Sequence, residues 1–121
     1  GGYILKAVAK PELVLIATGS EVALAIEAQE ELASSGIQAQ VVSMPCTKWF
    51  DEQPAEYQAQ VLPPQLPALA IEAGASAGWF KYADAVVGID RFGASAAPGL
   101  LFTELGFTTD NVVARAKALL D

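Results

Sequence analysis

Leu13-Val14-Leu15-Ile16-Ala17-Thr18-Gly19-Ser20-Glu21 is the stretch that decides the fold. Its first five residues are apolar without interruption, the pattern of a strand buried on both faces, as in a parallel sheet. Thr18-Gly19-Ser20-Glu21 then turns the chain into a helix. Thr18 is expected to cap it, with Glu21 reaching back from three residues on, as in a capping box. Val22, Ala25, Ile26, Leu32 and Ala33 keep helical spacing, while Glu27, Glu30 and Glu31 lie largely outside that stripe. Gly36 is the expected stop.

The same alternation extends outward in both directions. Upstream, residues 3–9 read as a strand and Lys10-Pro11-Glu12 as a turn. Downstream, residues 39–44 form a strand ended by Pro45, and Thr47 to Phe50 a short helical turn. A helix follows from Pro54 to Leu62, closed by Pro63-Pro64, which donate no backbone hydrogen bond. Residues 68–72 and 86–89 are further strands, and a short helix is expected around Trp79-Phe80. Pro98 suits the first position of a helix through Leu105, stopped by Gly106. Thr108 or Thr109 caps a terminal helix whose face is Val112, Val113, Ala116, Leu119 and Leu120. Alternating strands and helices predict an α/β fold with a mainly parallel sheet. The first two strands are the exception, because their connection is too short for a crossover. Residues 1–121 read as one domain, with no repeat or low-complexity tract.

Composition removes several function classes. Among 121 residues, 14 are acidic and 7 basic, a net charge of −7 that disfavours nucleic acid or an anionic membrane as partner. No apolar run approaches the ~20 residues of a membrane span. The chain begins with Gly1-Gly2-Tyr3 rather than an initiator Met, which suits a fragment or a processed chain. The lone Cys46 forms no internal disulfide and fits a reducing, cytoplasmic setting. There is no histidine, which excludes a Ser–His–Asp triad and weighs against a zinc site.

The candidate site residues gather at the predicted carboxyl ends of the strands, where open α/β sheets bind ligands. Ser20 and Glu21 follow the first of these strands, Glu72 ends a second, and Asp90 and Arg91 follow a third. The strand–Gly–helix junction has the outline of an anion site. It carries one glycine, no dinucleotide fingerprint and no P-loop lysine, and Glu21 would occupy the positive helix end. Glu72 and Asp90 suit hydrogen bonds to nearby backbone N–H groups or, if close together, acid–base work. Arg91 suits a phosphate, a carboxylate or an ion pair with Asp90, Glu72 or an adjoining domain. Trp49, Phe50, Trp79, Phe80 and Tyr82 suit core or interface packing.

Several segments in order resemble the C-terminal domain of transketolases. They are Gly1-Gly2-Tyr3-Ile4-Leu5-Lys6, Ile16-Ala17-Thr18-Gly19-Ser20-Glu21-Val22 and Val41-Val42-Ser43-Met44-Pro45. Next come Ala70-Ile71-Glu72-Ala73-Gly74, Gly88-Ile89-Asp90-Arg91-Phe92-Gly93-Ala94-Ser95 and Glu104-Leu105-Gly106-Phe107-Thr108. The departures are Cys46, where Ser is common, and an extra Ala96-Ala97 before Pro98.

The resemblance implies a three-layer α/β/α fold whose mixed five-stranded sheet has its first strand antiparallel to the rest. It implies a parent enzyme, homodimeric, that moves a two-carbon ketol unit between sugar phosphates. Thiamine diphosphate and magnesium would bind between the N-terminal and middle domains of two subunits. No catalytic, cofactor or metal residue of the family maps onto this chain, so the domain is expected to be inactive by itself and to serve packing. Two other readings stay open: the equivalent domain of a related thiamine-diphosphate enzyme (dihydroxyacetone synthase or a 2-oxoacid dehydrogenase subunit), and a small-molecule-binding regulatory module. With 53% hydrophobic and only 17% charged residues, an apolar surface covered by other domains is expected, with Trp49, Phe50, Trp79 and Phe80 as its contributors.

Overall fold

Burial on both faces is what Leu13–Ala17 requires, and the computed structural model places that strand at the centre of a five-stranded sheet. The structure describes residues 1–72, 77–88 and 107–121. The strands are β1 (Tyr3–Lys6), β2 (Leu13–Ala17), β3 (Ala39–Ser43), β4 (Ala68–Ile71) and β5 (Ala85–Val87), in the order β1-β3-β2-β4-β5. β1 runs antiparallel to β3, and the other pairs are parallel. The short 7–12 connection therefore carries the chain from the edge past β3 rather than to a neighbour. β1 stops at Lys6, shorter than the expected 3–9, and its register with β3 slips between Ile4 and Lys6.

The pleat sends alternate residues of β2 to opposite layers. Leu13, Leu15 and Ala17 pack with helices α1 (Glu21–Ser34) and α4 (Thr109–Leu120). Val14 and Ile16 face the other way, into a second core with Met44, Phe50 of α2 (Thr47–Asp51) and Val61 of α3 (Ala55–Val61). Each buried Leu or Ile contributes about 1.5–3 kcal/mol. A 3₁₀ turn spans Ala77–Trp79. The expected helix after Pro98 lies outside the described residues.

Helix α1 departs from its expected start. Ser20 is the N-cap residue and makes no side-chain capping bond, and no capping box forms. Thr18 instead donates its hydroxyl to the Glu72 carboxylate, 2.7 Å away, and a bond to a charged acceptor outweighs a neutral cap. Ala25, Ala28 and Leu32 make the buried stripe, whereas Ala33, expected in it, is exposed. Ala33 lies about 100° round the helix from Leu32. The end matches expectation: Gly36, at φ +82°, donates to the Ala33 carbonyl, and Ile37 to that of Leu32, a Schellman motif. At α4, Thr108 is the cap, accepting from the Asn111 N–H at 3.1 Å. Thr109 donates to Glu27 at 2.9 Å and ties α4 to α1.

Candidate functional site

At the carboxyl edge of the sheet, β2 and β4 are neighbours, so the residues that follow them meet. Ala17 pairs with Ile71 at the last register position, and the next residues, Thr18 and Glu72, are joined by the 2.7 Å hydrogen bond. The Glu72 N–H donates to the Val87 carbonyl at 3.0 Å, extending the link to β5. Gly19, at φ +53°, turns the chain so that Ser20 opens α1. The Ser20 hydroxyl donates to Glu21 at 3.2 Å, and the Glu21 side chain is buried. Ser20, Glu21, Leu24 and Phe107 line a shallow cleft of about 240 Å³. Ser20, Glu21 and Glu72 thus sit on one edge as expected, while Asp90 and Arg91 lie outside the described residues. Among the described groups the crevice offers two carboxylates and two hydroxyls, a set that repels anions and accepts hydrogen bonds.

A larger concavity of about 430 Å³ opens at the opposite side, between α3 and residues 80–84. At its rim Asp51 accepts from Lys81 Nζ at 2.8 Å and from the Tyr82 hydroxyl at 2.9 Å. The hydrogen bond from the Lys81 ammonium is the first cause that holds the Asp51 carboxyl below its ordinary value; the Tyr82 hydroxyl adds to it against an opposing push from desolvation. The same bond raises Lys81. Burial first, then Asp51, raises Tyr82. No sequence motif marks this trio, since Asp51 and Lys81 stand 30 residues apart.

The four candidate interface aromatics divide. Trp49 and Phe80 are 62% and 57% exposed. Phe50, expected at the interface with them, is a core residue at 2% exposure. It faces inward from α2, with the rings of Tyr57 and Tyr82 at 6.4 and 6.3 Å. Trp79 is half-buried, edge-on to Tyr82 at 5.8 Å.

The family described as "Transketolase-like TK C-terminal domain" matches residues 1–108. The chain belongs to this transketolase C-terminal domain family. Transketolase 1 of Escherichia coli (strain K12) is 54% identical over 99% of the chain. The transketolase of Leishmania mexicana superposes with a TM-score of 0.94 at 44% identity over 98% of the chain. That of Pichia stipitis, in complex with sedoheptulose 7-phosphate, gives 0.92 at 41% over the same share. The mixed sheet with β1 antiparallel to the rest is the fold of these transketolase domains. The chain spans only 19% of the length of the Escherichia coli protein and 18% of the solved transketolase chains. The related transketolases are transferases, and their C-terminal domain is the part this chain corresponds to.

Proposed function

We propose that this chain, as one domain over residues 1–121, is the C-terminal structural and interaction domain of a transketolase that moves a two-carbon ketol unit between sugar phosphates. In this reading the parent is a cytoplasmic homodimer of the pentose phosphate pathway. Thiamine diphosphate and magnesium act in its N-terminal and middle domains, and this chain supplies packing rather than chemistry. The match of residues 1–108 to the family carries the reading. The sugar phosphate named with the Pichia stipitis relative supports the substrate class.

The described crevice residues, Ser20, Glu21 and Glu72, do not suit a diphosphate. Glu21 and Glu72 repel a diphosphate, and Thr18 and Glu72 are already engaged with each other. Among the described residues no group of three His, Cys, Asp or Glu side chains stands ready for a metal ion. The chain also holds no histidine base.

An activity comparison tests the reading. Purified chain incubated with thiamine diphosphate, magnesium and a ketose/aldose phosphate pair is expected to show no turnover above buffer. The longer polypeptide that contains it is expected to transfer the ketol unit. Cofactor-dependent turnover by the 121-residue chain, or none by the longer polypeptide, overturns it.

A further inference from the structure

Among the described residues, the exposed large apolar side chains are Tyr3, Ile4, Leu5, Trp49 and Phe80. Four of these five belong to β1 and α2, and the chain's first two residues bind those elements together. The Gly1 carbonyl accepts from the Cys46 N–H at 3.0 Å. A Cβ on Gly1 would overlap the backbone of Cys46 and of Phe50, so one side of the glycine lies close against the start of α2. The Tyr57 hydroxyl donates to the Gly2 carbonyl at 2.7 Å. β1 therefore starts against the helix that carries Trp49. It is an edge strand with all four residues exposed.

We propose that the outer side of β1 together with Trp49 is the docking surface for the polypeptide that precedes this domain in a transketolase, an inference that rests on the family reading above. Two observations favour that occupant. The chain corresponds to a C-terminal domain and to less than a fifth of its relatives, so most of the parent lies ahead of Gly1. Gly1 is held beside Cys46 and Phe50, so the preceding chain emerges next to Trp49. A second copy is disfavoured, because each carries a net charge of −7. Strand addition is also disfavoured: β1 is four residues long, slips register between Ile4 and Lys6, and ends on a lysine. The contact is thus made by side chains. Lys6 and Lys48, both exposed, flank the apolar residues and call for carboxylates at the rim of the facing surface.

The test reads Trp49 as the difference between each protein and its Trp49→Phe variant, in a Trp79→Phe background, in this chain and in the longer polypeptide. Acrylamide should quench Trp49 several-fold less in the longer polypeptide. Tyr3→Ser with Leu5→Ser should restore much of the quenching there. Hydrogen exchange on the unmodified proteins gives a second readout: the β1 and Trp49 amides should exchange more slowly in the longer polypeptide. Equal quenching and equal exchange in the two proteins overturn the proposal. Ketol transfer measured on the same longer polypeptide separates the two ideas. Transfer with Trp49 still fully quenchable sinks the docking surface and leaves the family function standing. A shielded Trp49 without transfer does the reverse.

Discussion

Thr18 stands next to a helix that its hydroxyl could cap, yet it bonds Glu72, 54 residues away. A hydroxyl donating to a carboxylate contributes about 1.5–3 kcal/mol, against roughly 1 for a neutral cap. Thr18→Val is therefore expected to lower unfolding stability in urea by about 1–3 kcal/mol, while Thr18→Ser keeps most of it. Equal stability of Thr18→Val and wild type would show the bond to be idle. Asp51, Lys81 and Tyr82 make a pH prediction. Asp51 is held below its ordinary 3.8, so its contribution is present above that value and is lost as pH falls through the lower folded one. Lys81 is raised above 10.5, so its contribution is complete below 10.5 and is lost as pH rises through the higher folded value. Both groups are solvated, so the effect on stability is small. The phenol gives the clearer signal. Ultraviolet titration, with Tyr82→Phe as the difference, should place Tyr82 above 10.0. Asp51→Asn should lower that value, because the hydrogen bond to Asp51 and its charge both help to raise it. A Tyr82 that titrates at or below 10.0 in the wild type contradicts the geometry.

Elements with local signals were the most legible. β2, flanked by Pro11 and Gly19, runs over the expected residues, since an uninterrupted apolar run has one buried solution. The ends of α1 and α4 were readable from Gly36 and Thr108 because caps are decided within a few residues. Gly36→Ala, forced into a left-handed conformation, is expected to cost about 1–2 kcal/mol. Thr108→Ala, which removes the acceptor of the Asn111 N–H, should cost about 0.5–2 kcal/mol. Denaturant midpoints measure both, and a neutral Gly36→Ala would mean that the helix ends elsewhere in solution. β1 was less legible. Residues 3–9 are apolar enough for a longer strand, but pairing with β3 ends at Lys6, opposite Val41.

Across the whole molecule, β2 joins the two cores, since its alternate residues line both. Leu15→Ala should cost about 2–5 kcal/mol, and probes in either layer should report one coincident transition. Separate transitions for the α1/α4 layer and the α2/α3 layer would break this picture. The sequence by itself determined the type and order of the described elements, the two-faced burial of β2 and, through ordered motifs, membership of the transketolase domain family. Each of these rests on period or on short-range chemistry that any strand or helix must satisfy. Tertiary structure decided the rest. It placed Phe50 inside and Trp49 outside, although the two are adjacent, because α2 turns one face to the sheet. It joined Thr18 to Glu72 and Asp51 to Lys81, pairs whose partners are distant in sequence and meet only when parallel strands align and loops close over them. Such contacts depend on three-dimensional packing, and no local pattern of residues encodes them.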